Sequence, residues 1–296
     1  MMRVLIFGAA GQAGWELQRS SPAGMSVRAL ARQDADITQI DAVRAAVRHW
    51  QPHWIINAAA YTAVDRAESE ASDAYAINGD GAAHIARAAL ETHCQVLHIS
   101  TDFVFDGQSP SPYAPDASVH PLGVYGASKA AGEEAVRRIL GDDALILRTA
   151  WVYSSHGHNF VKTMLKLMAE RAELRIVADQ IGSPTWAAGL AQAIWRAIGT
   201  KDFRGTQHWT DAGIASWYDF AVAIQEEAVA CGLLSRAIPI LPIRSMDYPT
   251  PARRPACAVL DKSGSYAQLG TAPHWRVALR AMLQELLPAA SPHHAP

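Results

Sequence analysis

The chain has 296 residues, half of them apolar and 18% charged, with 26 basic side chains against 28 acidic ones. That length buries a sizeable core in one large α/β unit or two domains, and a formal charge of -2 excludes the basic face that a nucleic-acid partner or an anionic membrane surface requires. Cys94, Cys231 and Cys257 are too scattered for a disulfide framework or a zinc site; with no apolar run of spanning length and no signal segment at Met1–Gly8, the expectation is a cytoplasmic protein with reduced thiols.

Val4 to Phe7 reads as a buried parallel strand running straight into Gly8-Ala-Ala-Gly11-Gln12-Ala13-Gly14, with a helix from Trp15 to Arg19. Strand, glycine turn and helix form a dinucleotide-binding arrangement: glycines admit close backbone approach and the helix N-terminus faces a pyrophosphate. The second strand, Met25 to Leu30, ends beside Arg32. An NAD site usually has an acidic residue near this point, so a guanidinium here predicts affinity for a ribose 2′-phosphate and makes NADPH at least as good a cofactor as NADH. Asp36 and Ile37 follow, within reach of the adenine edge.

A helix over Asp41–Trp50 and a strand over Trp54–Asn57 lead to Ala58-Ala59-Ala60-Tyr61-Thr62, small residues against which a flat cofactor can lie. The charges of Asp65, Arg66 and Glu68 read as helix capping. Ala74 to Thr92 reads as one helix carrying Asn78, and the strand Gln95–Ile99 delivers Ser100-Thr101-Asp102-Phe103. Ligands in open α/β sheets bind at the strands' carboxyl ends, so Thr101 arrives on the glycine turn's edge. A Pro- and Ser-rich connection, 110–123, then introduces Tyr125-Gly-Ala-Ser-Lys129 at the head of a helix to Leu140. Positions four apart share a helix face, and the expectation is that the ammonium lowers the phenol's pKa from its usual value of roughly 10.

In the second half, the strand Leu145–Arg148 opens into Trp151 and the polar loop Ser154–Asn159. A helix (Phe160–Arg171), a strand (Leu174–Ala178) and a helix (Thr185–Ile198) follow. Ser216 is placed to cap a helix over Trp217–Cys231, Pro239 to Pro255 carries Arg244, Arg253 and Arg254, and a last helix spans His274–Leu287. The fold class expected is α/β: a Rossmann-type doubly wound parallel sheet with a smaller, interleaved C-terminal substrate domain. Residues 1–152 form the dinucleotide-binding domain, with 160–180 returning to it; 153–159 and 181–288 form the substrate domain, and 289–296 read as a disordered tail.

The order Gly8-x-x-Gly11-x-x-Gly14, Thr101, Tyr125-x-x-x-Lys129 is the pattern of the extended short-chain dehydrogenase/reductases. Asn57-Ala-Ala-Ala-Tyr-Thr-Ala-Val-Asp65, Ser100-Thr-Asp-Phe-Val-Phe-Asp-Gly107, Arg148-Thr-Ala-Trp-Val-Tyr153, Asp179-Gln-Ile-Gly-Ser-Pro-Thr185 and Tyr248-Pro-Thr-Pro-Ala-Arg-Arg-Pro255 narrow it, and resemble the dTDP-4-dehydrorhamnose reductase family from Arg3 to about Leu287. The resemblance implies reduction of a nucleotide sugar's 4-keto group by NAD(P)H. It makes Tyr125 the acid, Lys129 the holder of the nicotinamide ribose and Thr101 the residue that orients the carbonyl, with Asp102, Phe103, Trp151, Asn159, Gln180 and Arg253–Arg254 around the substrate. The cofactor set comprises Gly8, Gly11, Gln12, Ala13, Gly14, Arg32, Asp36, Ile37, Ala58 to Thr62, Asn78, Ile99, Tyr125 and Lys129.

Two departures matter. Phe103 stands where many relatives carry Tyr. Some members dimerise through a magnesium ion; Glu16 and Glu285 match two of its ligands, but Trp186-Ala-Ala-Gly-Leu190 lacks the third carboxylate, so no tight metal site is expected and the homodimer expectation weakens. Phe103 also counts against a 4,6-dehydratase, which needs an acidic residue there. A 4-epimerase, and a non-catalytic NADP-binding regulatory subunit of the same fold, stay open at this point.

Overall fold

The computed structural model describes residues 1–141 and 144–287, so the expected tail at 289–296 lies outside the described residues. In chain order the first half runs β1 (Met2–Phe7), α1 (Gln12–Arg19), β2 (Met25–Leu30), α2 (Ile40–Trp50), β3 (Trp54–Asn57), α3 (Val64–Ala67), α4 (Ala71–Tyr75), α5 (Gly81–Thr92), β4 (Gln95–Thr101), α6 (Val124–Leu140) and β5 (Leu145–Thr149). The second half runs β6 (Val152–Tyr153), α7 (Phe160–Glu170), β7 (Leu174–Val177), β8 (Ile181–Gly182), β9 (Thr185–Trp186), α8 (Ala187–Gly199), β10 (Gly205–His208), β11 (Ala215–Ser216), α9 (Trp217–Ala230), β12 (Ile240–Ile243), α10 (Ser263–Leu269) and α11 (Trp275–Glu285).

Six strands form a sheet ordered β10-β5-β4-β3-β1-β2, every pair parallel. Alternation along β1 sends Val4 and Ile6 to a core shared with Leu17 of α1 and Leu190 and Ile194 of α8. Leu5 and Phe7 point the other way, against Val43 of α2 and Ile85 of α5. Such two-sided burial explains why these strands read as unbroken apolar runs. The chain leaves β1 for β2 on one side and resumes with β3 on the other. Between β1 and β3 the strand order therefore reverses, and there a crevice opens at the strands' carboxyl ends.

The expected return of residues 160–180 to this sheet does not occur. β7 pairs with β12 in a separate two-stranded sheet, and Val161, Met164 and Met168 of α7 pack with Phe220, Ile224, Leu279 and Met282 in a second core. What returns is 187–208: α8 covers one sheet face, and β10 pairs with β5 at the edge. Gly-Thr-Gln-His has no apolar pattern, so pairing rather than burial makes this strand. Other boundaries shift less. The helix expected from Thr185 begins at Ala187, after β9, and the stretch 74–92 is not one regular helix but has a π-turn at Ala76–Asp80 between α4 and α5. Ser216 caps α9, exchanging bonds with Asp219 as a capping box.

Candidate active site

The carboxyl edge of the sheet holds two connected cavities. One, of about 380 Å³, runs over Gly8, Ala31, Arg32, Asp36, Ile37 and the loop 58–62. The other, of about 500 Å³, continues past Gln12, Ile99, Thr101, Tyr125, Lys129 and Trp151. Gly11, Ala58, Ala60 and Thr62 line both. A Cβ at Gly8, whose φ is +91°, would stand 2.5 Å from the amide nitrogen of Ala59, so only glycine lets the loop 58–62 close against the turn. Gly14 serves packing instead: a Cβ there would meet the Gly8 carbonyl oxygen at 2.1 Å. Gly11 caps α1 with no side-chain bond and no acidic residue follows in the first turn, which leaves the amide donors open to an anion. Trough, glycine turn and open amides suit an extended dinucleotide diphosphate.

Thr101 ends β4, where its Oγ1 donates to Asp102 Oδ1 (3.0 Å) and accepts from Phe103 N (3.2 Å). A short 3-10 turn at Asp102–Val104 follows. Phe103 lies edge-on to Tyr125, ring centres 5.4 Å apart. Tyr125 and Lys129 are set by α6 one turn apart, and the Lys129 Nζ donates to the Ile99 carbonyl at 2.7 Å. The electrostatics depart from the sequence expectation. Burial pushes the Tyr125 phenol up to about 12; the Thr101 hydroxyl pulls it back in part, and Lys129 is not among the groups that lower it. Burial pushes Lys129 itself down to about 8, opposed by Glu133. Burial also raises the Asp102 carboxyl to about 7, and its Oδ2 has no hydrogen-bond partner. The result is a protonated phenol at neutral pH beside a hydroxyl and a carboxyl that changes charge near neutrality.

Trp151 adopts a left-handed backbone, φ 47°, and stacks on Trp217 at 3.6 Å. A Cβ at Gly182 would lie 2.6 Å from the Trp151 ring, so that glycine makes the ring's berth. Trp217 is a wall residue that sequence reasoning missed; its only signal was its place directly after the Ser216 cap. Gln180 joins Asp102, Phe103, Trp151, Trp217 and Arg254 around a small adjoining cavity and donates to Ser245 Oγ at 2.9 Å.

Two expected contacts fall elsewhere. Arg253 is exposed and lines neither cavity; its neighbour Arg254 does, fixed by Asp65 at 2.8 Å. The carboxylate of Asp65 thus orients an arginine rather than only capping a helix, and Glu68 accepts from Val124 N at the head of α6 (2.8 Å). Asn78 is buried away from the trough. Its Oδ1 accepts from Tyr61 N (2.9 Å), while Nδ2 donates to Tyr61 O (3.1 Å) and Ser128 Oγ (2.9 Å), bracing the loop 58–62 against α6. The π-turn presents it in that position. Asn159 keeps one foot in the cavity: it caps α7 (Oδ1 to Lys162 N, 3.1 Å) and donates to Gln12 Oε1 at 2.9 Å.

The magnesium question turns on Glu16 and Glu285. Glu16 accepts from Arg19 and Ser154, and Glu285 from Arg19 and Ser155. Each carboxylate oxygen is engaged, Gly189 and its neighbours bring no third acid, and among the described residues no group of three or more His, Cys, Asp or Glu could hold a metal. These residues do not fit a divalent ion.

The family model described as RmlD substrate binding domain matches residues 2–287. The chain is 43% identical over 287 residues to the spore coat polysaccharide biosynthesis protein SpsK of Bacillus subtilis (strain 168), covering 96% of this chain and 98% of that protein. It is 42% identical over 288 residues to the dTDP-4-dehydrorhamnose reductase of Aggregatibacter actinomycetemcomitans, covering 95% and 98% respectively. It superimposes with a TM-score of 0.90 on the dTDP-4-dehydrorhamnose reductase of Bacillus anthracis in complex with NADP, at 37% identity over 96% of this chain and 100% of that one.

Proposed function

The chain belongs to the dTDP-4-dehydrorhamnose reductase family, and from that premise we propose how its own residues carry the reaction. It is an NAD(P)H-dependent oxidoreductase that reduces the 4-keto group of dTDP-4-dehydro-L-rhamnose and forms dTDP-L-rhamnose. When bound, NADPH or NADH supplies the hydride.

The chain's task is to hold, orient and protonate. Gly8, Gly11, Gln12, Ala13 and the loop 58–62 bind the dinucleotide, with Arg32 and Asp36 at the adenosine end; Lys129 holds the nicotinamide ribose. Thr101 turns its one hydroxyl proton from Asp102 to the keto oxygen at C4 and fixes its angle. Tyr125 delivers its proton to that oxygen as charge develops there, which its raised pKa permits because the phenol enters the reaction protonated. Asp102 is a second contact to the sugar. Trp151, backed by Trp217, forms its apolar wall, and Arg254 meets the diphosphate, for which a planar fork of donors is suited. We assign 1–152 together with 187–208 to cofactor binding and the second core to substrate binding. We further propose a cytoplasmic enzyme, and any homodimer forms without a magnesium bridge.

The observation that carries this reading is the gathering of Thr101, Tyr125 and Lys129 around one cavity continuous with the glycine turn. Incubation with dTDP-4-dehydrorhamnose and NADPH, following nicotinamide absorbance and the sugar product, is the direct test. Absorbance loss with release of dTDP-L-rhamnose is expected; a chain that binds both ligands without turnover contradicts the assignment.

A further inference from the structure

The loop Ser154–Asn159 belongs to the C-terminal half yet lies across the glycine turn. His156 Nε2 meets the Ala10 carbonyl at 3.1 Å and its ring stacks on Trp15 at 4.9 Å. Asn159 donates to Gln12 Oε1 at 2.9 Å. The loop is anchored at its other side by two serines: Ser154 Oγ donates to Glu16 Oε1 and Ser155 Oγ to Glu285 Oε2, both at 2.7 Å. One guanidinium joins the two carboxylates. Arg19 reaches Glu16 Oε2 through Nε (2.9 Å) and Nη2 (2.7 Å), and Glu285 Oε1 through Nη2 (2.8 Å). Its guanidinium carbon also sits 5.0 Å from the Trp15 ring centre.

We propose that Arg19 is a built-in cation clamp, which ties α1 to α11 and holds the loop 154–159 on the glycine turn, so that cofactor retention depends on this side chain and on no divalent ion. The physical reason is a fully buried carboxylate. Glu16 has no exposed surface, and a buried carboxylate needs a partner charge or fixed donors. Arg19 supplies the charge from within the chain, and its fork divides between two acids on elements far apart in sequence. Glu16, so held, orients Ser154; Glu285 orients Ser155; and the loop arrives with Gln12 and the Ala10 carbonyl in fixed places. Arg19 is accordingly a positioning residue that acts through the loop. The proposal takes from the functional reading only that the cofactor lies against the glycine turn.

The test is NADPH binding by fluorescence, with thermal unfolding alongside, on the full-length protein. For the parent, neither EDTA nor millimolar MgCl2 should move the dissociation constant or the midpoint. Arg19→Ala should raise the NADPH Kd by about tenfold, the scale of a lost charge-assisted bond network, and raise KM for NADPH more than it lowers kcat at saturating cofactor. Arg19→Lys should recover part of the affinity, since a cation returns without the fork. Should Arg19→Ala not fold, Ser155→Ala, which removes one anchor at a half-buried position, should weaken NADPH binding in the same direction. An unchanged Kd in both Arg19→Ala and Ser155→Ala, or a parent protein that loses NADPH or stability in EDTA, overturns the clamp. A parent that binds no NADPH at all would bring down the cofactor reading and the clamp together, an outcome distinct from failure of the variants alone.

Discussion

Two buried cations, Lys129 on α6 and Arg148 on β5, lie to either side of Glu133 and meet opposite surroundings. Lys129 and Arg148 are each 2% exposed. Arg148 is saturated: Nε and Nη2 grip Glu133 at 2.9 and 2.7 Å, Nη1 donates to the Pro115 carbonyl at 3.1 Å, and Phe105 lies under the guanidinium at 5.0 Å. Lys129 has one neutral partner, the Ile99 carbonyl, and its pKa falls to about 8 because burial opposes its charge. Towards the trough the pattern persists, with Asp102 Oδ2 unpartnered; away from it His208, pushed down to about 3 by burial and Arg148, sits neutral beside a closed ion pair. A buried charge that is fully paired specifies the scaffold and holds the loop leading to Tyr125. A buried charge left short of partners where it also lines the trough marks where ligand atoms complete the set.

The comparison breaks first at Tyr125. Tyr125→Phe removes the proton donor and should lower kcat by about 10²–10⁴-fold, with the unfolding midpoint little changed. Turnover of dTDP-4-dehydrorhamnose at the parent rate would mean that the acid lies elsewhere.

Next come the two cations, whose loss should affect stability differently. Arg148→Met strands the Glu133 carboxylate and should cost about 3–5 kcal/mol in urea unfolding, much of it regained in Arg148→Met/Glu133→Leu. Lys129→Met should leave stability equal or higher, because a depressed pKa means the fold disfavours the charged form; the Lys129 contribution is fully present above 10.5 and lost as pH falls through about 8. Its cost should appear in kcat and NADPH affinity instead. Equal destabilisation by both substitutions would erase the distinction between scaffold and site.

A weaker effect belongs to Asp102. Its folded pKa is raised from 3.8 to about 7, so its contribution to stability is fully present below the unfolded value and lost as pH rises through about 7. The same ionisation places an anion beside the oxygen that gathers negative charge in the reduction. We expect kcat/KM to decline as pH rises through about 7, and Asp102→Asn to flatten that limb. A limb that persists unaltered in the variant belongs to another group.

These contrasts also show which parts of the molecule the sequence could disclose. Helical spacing places Tyr125 and Lys129 on one face, and the strand's end brings Thr101 to the same edge, because both follow from local geometry. The pKa values do not: helical spacing puts the lysine near the phenol, but depth of burial decides the phenol's pKa, and depth is a tertiary property. β10 escaped notice because Gly205–His208 has no apolar alternation and becomes a strand only against β5. Residues 160–180 join the second core rather than the first because β7 pairs with β12, a long-range pairing that α7's apolar stripe alone does not disclose. The Trp217 stack and the Arg19 clamp join residues 66 and 266 positions apart, respectively, distances over which no spacing rule operates.

The smallest effect sharpens the comparison at the trough's far end, where a cation is exposed rather than buried. Arg32 bonds Asp36 Oδ2 through Nε at 3.0 Å with 75% of its side chain in solvent. Asp36 is already held by the amide and hydroxyl of Thr38 at 2.9 and 2.8 Å, so Arg32 is oriented while its two terminal nitrogens have no partner among the described residues. A ribose 2′-phosphate could take both. Water screens such a contact, which limits its worth to about 1 kcal/mol, so Arg32→Ala should raise KM for NADPH by about threefold to tenfold and leave KM for NADH nearly unmoved. Parallel loss with both cofactors would make Arg32 a general electrostatic contributor, and the rule that unpartnered donors mark ligand contacts would then hold only for buried groups.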